Sequence, residues 1–145
     1  MTDASCPYCN GPGGRLLWSD ARCRVILIDD APFAGLCRVV WNGHVRELTD
    51  LGEADRAHLF AVLAATERGI RDLLQPAKIN LAALGTAMPH LHWHVIPRYP
   101  DDSHFPEPIW AAPQRAATPR KLPQDFPAVL GKVLAEKLGA APAVA

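Results

Sequence analysis

Residues 89–98 read Pro-His-Leu-His-Trp-His-Val-Ile-Pro-Arg, and three histidines (His90, His92 and His94) alternate there with apolar side chains. This period-two pattern, ended by a proline, predicts a β-strand. Successive side chains of a strand point to opposite faces, and neighbours on one face lie about 6–7 Å apart. The three imidazoles are therefore predicted to share one face while the apolar residues between them face the core. Core packing does not account for three histidines on one face.

Two kinds of chemistry use histidines in this arrangement. Imidazole is a common zinc ligand, and two histidines separated by one residue on a strand can hold a metal. Imidazole is also a nucleophile and a proton carrier near neutral pH. A row of histidines could attack a phosphorus centre with one ring while the neighbouring rings hold the phosphate oxygens. Residues 89–98 leave both interpretations open.

The composition narrows the class of protein. A chain of 145 residues can form one domain with a substantial core, and we expect a single domain over residues 1–145. Fifteen basic and fifteen acidic residues give a formal net charge of zero, so nucleic acid is not an expected partner. No apolar run is long enough to span a bilayer, and the N-terminus lacks the pattern of a secretory signal. We therefore expect a cytoplasmic enzyme without a membrane partner.

The N-terminal turn, residues 1–14, contains a Cys-x-x-Cys motif, Cys6 and Cys9, followed by Gly-Pro-Gly-Gly. A thioredoxin-like redox pair would open a helix after a strand, which the glycines exclude here. In a reducing compartment a disulfide is not expected. A tight turn with two thiolates suits half of a zinc site. The motif alone does not identify the other two ligands.

The remaining patterns predict an α+β fold, a five-stranded antiparallel sheet with two helices. The predicted strands cover residues 15–18, 23–29, 37–41, 78–84 and 89–98, and the predicted helices cover residues 53–74 and 126–138. His58, within the first helix, is assigned to packing or to the surface. The proline-rich segment after Arg98 is expected to be an ordered loop, since Phe105, Ile109 and Trp110 can dock on the body. Residues 139–145 are expected to fray.

His-Leu-His-Trp-His-Val-Ile resembles the signature of the histidine-triad (HIT) family, His-φ-His-φ-His-φ-φ with φ apolar. The likeness extends from the Cys-x-x-Cys motif through Asp29 and residues 35–44 to the histidine strand. It is greatest to a bacterial branch with His-Leu-His-Trp-His and a downstream Asp-Asp-x-His-Phe-Pro element, here residues 101–106. The resemblance implies a HIT-like homodimer that binds nucleotides and hydrolyses or transfers at the α-phosphate.

The resemblance also implies roles for single residues. His92, the middle histidine, would attack the α-phosphorus and form a nucleotidyl-histidine, which water would hydrolyse to the nucleoside monophosphate. His94 would hold phosphate oxygens or pass protons, and His90 would stand at the edge of the catalytic row. Asp29 occupies the place of a ribose-binding acidic residue, with a plain turn aspartate as the alternative.

Several members of the bacterial branch carry a zinc site made from the Cys-x-x-Cys motif, a histidine after the third strand and the first triad histidine. The matching residues here are Cys6, Cys9, His44 and His90. Such a site is closed and structural, which argues against a zinc hydrolase because no ligand position is open for water. Reduced thiols with a hydrogen-bonding His90 are the alternative.

The chain departs from the family pattern in two places. The family's phosphate loop usually ends in Gly-Gln-Ser or Gly-Gln-Thr, whereas residues 84–89 read Leu-Gly-Thr-Ala-Met-Pro. Thr86 and backbone amides near Gly85 are the visible replacement donors. Leu36 replaces a histidine that is common after the glycine of the third strand. His104, in the loop over residues 101–106, could compensate by reaching the site, with a surface histidine as the alternative.

Three functions follow from these patterns. The first is a hydrolase or transferase acting on a dinucleoside polyphosphate or a nucleoside phosphoramidate. The second is a nucleotide-sensing module with little or no turnover, as the altered phosphate loop suggests. The third is a metallohydrolase that uses the triad histidines as zinc ligands. For the homodimer, the resemblance places Ile70, Leu73 and the strand over residues 78–84 near the interface.

Overall fold

The computed structural model describes residues 2–29 and 32–140. These residues form an antiparallel sheet of five strands and two long helices, as the sequence patterns predict. The elements are α1 (Pro7–Asn10), β1 (Arg15–Ser19), β2 (Cys23–Leu27), β3 (Cys37–Trp41), a 3₁₀ turn (Leu48–Asp50), α2 (Glu53–Leu74), β4 (Lys78–Ala82), β5 (His92–Arg98) and α3 (Phe126–Leu138).

The sheet has the strand order β1-β2-β3-β5-β4, so β1 and β4 are its edges. The register between β3 and β5 places Arg38 opposite His94 and Val40 opposite His92. One face of the sheet packs against α2 and α3 and forms the main core. On the other face, Ile26 and Val40 form a smaller cluster with Cys6 and Tyr8. The histidines of β5 lie on this second face.

The predicted histidine strand is too long at its start. Strand β5 begins at His92, and His90 lies in a turn in which its N–H donates to the Met88 carbonyl at 2.8 Å. Pro89 has no N–H to extend the ladder, which favours this turn. Two other predicted strands are also shorter, since β2 ends at Leu27 and β4 ends at Ala82.

The two long helices have the predicted bounds. Helix α2 ends where Gln75 adopts a left-handed conformation, with φ of 50°, directly before Pro76. It approaches α3 closely, because a Cβ placed on Gly69 would lie 2.6 Å from the Leu130 Cδ1 atom. Part of the predicted frayed tail, residues 141–145, lies outside the described residues, as do Asp30 and Ala31. None of the described helices has the length and hydropathy needed to cross a membrane.

Candidate active site and metal centre

The three motif histidines lie close together, but two of them are on strand β5 and the third is in the turn before it. His92 and His94 lie on one face of β5, both are buried, and their ring centroids are 5.1 Å apart. His90 reaches the same cluster from the preceding turn. Tyr8 of α1 joins the two parts, with ring centroids 5.5 Å from His90 and 5.1 Å from His92.

The hydrogen bond of His92 determines its tautomer. Its Nδ1 lies 2.6 Å from the backbone carbonyl oxygen of His90. Because a carbonyl only accepts, Nδ1 carries the proton and Nε2 keeps a lone pair. Burial lowers the pKa of His92 most; the bond to the His90 carbonyl acts to raise it, and nearby Arg38 lowers it further. The result is a neutral imidazole with a free nucleophilic nitrogen.

His94 is neutral for the same physical reason. Burial, followed by the charge of Arg38 and by His92, lowers the pKa of His94 to about 4. Its Nδ1 atom is buried and has no hydrogen-bond partner among the described residues. The ring of Trp110 contacts the His94 ring, with centroids 5.0 Å apart. A buried ring nitrogen without a partner in the protein can form a hydrogen bond with a bound ligand.

A cavity of about 290 Å³ opens beside these two histidines. Its walls come from β3, β5, the segment before the histidine motif and the loop after β5. They are Arg38, Leu84, Gly85, Thr86, Ala87, Met88, His92, His94 and Trp110. Gly85 has φ of 67°, and a Cβ placed there would lie 3.6 Å from His92 Cε1, so its backbone lies against the His92 ring.

The other two predicted nucleotide-binding residues do not line this cavity. Asp29 is exposed and lines a separate cavity of about 610 Å³ beside Gly35 and residues 120–124. His104 packs against Phe33 with ring centroids 5.3 Å apart, and its Nδ1 lies 2.8 Å from the hydroxyl of Ser103. The sequence suggested that His104 could reach the site, with a surface histidine as the alternative; in the structure Trp110, further along the same segment, lines the cavity instead.

A buried ion pair holds this loop in place. Arg98, at the end of β5, donates from Nε to Asp102 Oδ2 at 2.8 Å and from Nη2 to Oδ1 at 3.0 Å. Asp102 also accepts from the N–H groups of Tyr99, His104 and Phe105. Burial acts to raise the pKa of Asp102, but these hydrogen bonds outweigh it and lower the pKa to about 2. The carboxylate thus organises the loop that carries Trp110.

Next to the histidine row, four potential metal ligands converge. The donor atoms of Cys6, Cys9, His44 and His90 all lie within 4.8 Å of one another. The Nδ1 atom of His90 is 3.3 Å from Cys6 Sγ, 3.7 Å from Cys9 Sγ and 3.2 Å from His44 Nδ1. His90 Nε2 faces the Trp41 carbonyl, so Nε2 carries the proton and Nδ1 directs its lone pair at the other donors. This cluster could hold a metal ion.

Arg24 anchors the N-terminal turn to the sheet. It is buried on β2 and donates to the carbonyls of Tyr8, Gly11 and Pro12 and to Asn42 Oδ1. The motifs in the sequence did not indicate a role for this residue or for Arg38. The available signal was a charged residue inside an otherwise apolar strand, in Cys-Arg-Val-Ile-Leu and in Cys-Arg-Val-Val-Trp. Such a residue needs a buried partner or a ligand.

A second group of potential ligands, Asp20, Cys23 and His58, is already satisfied internally. Asp20 accepts from the N–H groups of Arg22 and Cys23, and its other oxygen lies 2.7 Å from His58 Nε2. Burial raises the pKa of the Cys23 thiol to about 12. These contacts tie the turn between β1 and β2 to α2, which is a structural role.

The protein is therefore an α+β protein whose candidate active site is built from buried, neutral histidines beside a small cavity. The HIT domain matches residues 14–101, more than half of the chain, and the protein belongs to the HIT-domain family. The matched part contains the histidine row but neither Cys6 and Cys9 nor Trp110. Family membership indicates a nucleotide-binding hydrolase or transferase in general.

Solved structures share this fold. A histidine triad protein from Bradyrhizobium japonicum is 28% identical over 81% of this chain and 87% of that chain, with a TM-score of 0.69. One from Marinobacter aquaeolei VT8 is 27% identical over 81% and 86%, with a TM-score of 0.67. A Zn-bound histidine triad family protein from Mycobacterium smegmatis, 24% identical over 91% and 94% with a TM-score of 0.62, shares the fold alone. No curated protein matches the chain.

Proposed function

We propose that this protein hydrolyses or transfers at the α-phosphate of a dinucleoside polyphosphate or a nucleoside phosphoramidate, with His92 as the nucleophile. The observation that carries the proposal is the bond from His92 Nδ1–H to the His90 carbonyl. It leaves Nε2 unprotonated in a buried ring that lines the cavity. A neutral imidazole with an oriented lone pair is what nucleophilic catalysis at phosphorus requires.

The reaction would proceed in two displacements. His92 Nε2 forms a bond to the α-phosphorus, and the bond to the leaving group breaks with its electron pair. A phosphate oxygen leaves as the anion, and a leaving nitrogen takes up a proton from water as it departs. The ring gains positive charge, which the His90 carbonyl stabilises through Nδ1–H. Water then attacks phosphorus and loses a proton to solvent, and the bond between phosphorus and His92 Nε2 breaks with its electron pair returning to the ring. These changes release the nucleoside monophosphate and restore the neutral ring. His94 would hold a phosphate oxygen during both steps.

The second candidate is a nucleotide-sensing module with little turnover. It is favoured by residues 84–89, where no glutamine or serine side chain offers a donor to the leaving group. Thr86, the only hydroxyl there, is exposed. The third hypothesis, zinc on the three motif histidines, receives less support. His90 directs its Nδ1 at the cysteines, and His92 has its Nδ1 bonded to a carbonyl.

We propose a structural zinc ion on Cys6, Cys9, His44 and His90. Zinc bonds of about 2.0–2.3 Å in a regular tetrahedron separate the donor atoms by about 3.3–3.8 Å. The observed separations from His90 Nδ1, between 3.2 and 3.7 Å, agree with that geometry. Bound zinc would tie the N-terminal turn to His90, whose carbonyl orients His92. Its two thiolate ligands suit the reducing cytoplasm that we propose as the location.

The proposed homodimer would form through the β4 edge. Leu81 on β4 is 44% exposed and Leu84 is 57% exposed. Helix α3 packs on α2 and β1, at the opposite side of the sheet, and so does not cover β4. An isologous pairing would remove both the open edge and the apolar surface. Ile70 is fully buried within the monomer, so it is not available to the interface.

A substrate panel tests the proposed function. Adenosine and guanosine phosphoramidates and dinucleoside polyphosphates would be incubated with the wild-type protein, and monophosphate release would be measured. The variant His92→Ala should lose turnover by more than about 1,000-fold while it retains nucleotide binding. His58→Gln, on the other face of the sheet, is the control and should retain activity. Near-wild-type turnover by His92→Ala would exclude the mechanism, and binding without turnover in the wild type would favour the sensing module.

A further inference from the structure

Arg38 differs from Arg24 and Arg98, the arginines of the two neighbouring strands β2 and β5, in how few hydrogen bonds it makes. Arg24 and Arg98 each donate four hydrogen bonds to protein oxygens. Arg38 donates one, from Nη1 to the Tyr8 hydroxyl at 2.8 Å. Its Nε atom is buried without a partner among the described residues. A guanidinium has five N–H donors, so most of the capacity of Arg38 is unused.

Arg38 also has no acidic partner among the residues that the structure describes. No carboxylate among them lies within 4.0 Å of it, in contrast to Arg98, which pairs with Asp102. Arg38 is half-buried, and a partly buried cation without a counter-charge carries a desolvation cost. An anion bound beside it would offset that cost.

The residues around Arg38 indicate which kind of anion would bind beside it. Arg38 lies opposite His94 in the register of β3 and β5 and shares the small cavity with His92 and His94. Among the residues that the structure describes, the lining of this cavity includes no acidic side chain. The Arg38 guanidinium, the single N–H of the neutral His94 ring and the backbone near Gly85 form a set of donors suited to phosphate oxygens. His92 meets the same anion with the lone pair of Nε2.

We propose that Arg38 is a phosphate-binding residue of this site, which holds a non-bridging oxygen of the substrate phosphate next to His92 and His94. It would give the site a charged donor to the phosphate, where residues 84–89 offer no glutamine or serine side chain. The Tyr8 hydroxyl holds the guanidinium against the histidine row. This assignment rests on the proposed nucleotide function and adds to it the residue that recognises the phosphate charge.

Binding measurements separate this role from a structural one. AMP, GMP and the corresponding nucleosides would be titrated by calorimetry into wild-type protein, Arg38→Gln and Arg38→Lys. Loss of a charged hydrogen-bond donor should weaken nucleotide binding by about 10- to 100-fold. Nucleoside affinity should change by less than about 2-fold, and Arg38→Lys should recover part of the loss. Arg68→Gln, an exposed arginine on α2, removes the same charge elsewhere and should change neither affinity.

The outcomes distinguish Arg38 from the nucleotide function as a whole. Equal loss of nucleotide and nucleoside binding in Arg38→Gln would assign Arg38 a structural role and overturn the proposal. Unchanged AMP and GMP binding in that variant would overturn it as well. If the wild type binds no nucleotide, inorganic pyrophosphate is the decisive probe. Binding of pyrophosphate that requires Arg38 would support the anion site while the nucleotide function fails, and no Arg38-dependent binding would overturn both.

Discussion

Replacing Asp102 by asparagine is expected to weaken the fold in a way that depends on pH. The asparagine would keep the shape of the side chain but lose the charge that Arg98 meets through two hydrogen bonds. The pKa of Asp102, lowered to about 2 in the folded protein, corresponds to about 2 kcal/mol of stabilisation at neutral pH. Leaving the Arg98 guanidinium buried without its anion adds to the loss. We expect Asp102→Asn to cost about 2–4 kcal/mol at pH 7.

The sign of the pH dependence follows from the lowered pKa. In the unfolded chain Asp102 has an ordinary pKa, so it takes up a proton at a higher pH than it does in the folded protein. The stabilisation is therefore complete above about pH 4 and is lost as the pH falls toward 2. The difference in stability between the wild type and Asp102→Asn should narrow over the same interval. Both proteins carry the same cysteines and histidines, so protonation of those groups cancels in the comparison.

Urea denaturation at several pH values measures this difference. With a slope of about 2 kcal/mol per molar urea, the midpoint of Asp102→Asn should fall by about 1–2 M at pH 7. Asp101→Asn is the matched control, because Asp101 is 55% exposed and pairs with Arg120 at the surface. That change should cost less than about 0.5 kcal/mol. Equal midpoints for Asp102→Asn and wild type at pH 7, or a gap that stays constant down to pH 2, would refute the reasoning.

Three further predictions concern the metal centre, the sheet edge and the histidine row. Cys6→Ser should reduce zinc from about one ion per chain to none by elemental analysis, and a metal-free wild-type protein would contradict the proposed site. Leu81→Lys should convert the proposed dimer into a monomer in light scattering, because it places a charge on the β4 edge; a monomeric wild type would exclude that interface. The ring of His94 should titrate near pH 4 in an NMR experiment, since burial and Arg38 disfavour its protonated form; a midpoint near pH 6.5 would mean that the ring is solvated.

Local patterns in the sequence were sufficient for the class of fold and for the long helices. Alternating and three-to-four-residue periodicities reflect how side chains are arranged on a strand or a helix, which depends on near neighbours in the chain. Both long helices have the bounds predicted from residues 53–74 and 126–138. The ends of strands were predicted less well. The alternation of histidines and apolar residues begins at His90, but strand β5 begins only at His92. Pro89 has no N–H for a ladder hydrogen bond, so the strand does not extend back through it.

The sequence also indicated which histidines and cysteines were chemically notable, because their residue types and spacing are visible without any fold. What only the tertiary structure decided is which distant side chains share one site. The register of β3 against β5 puts Arg38 beside His94, and the buried pair of Arg98 and Asp102 brings Trp110, not His104, to the cavity. Asp29 lines a different cavity. These neighbours depend on strand pairing and on buried hydrogen bonds between residues far apart in the chain, which no local periodicity encodes.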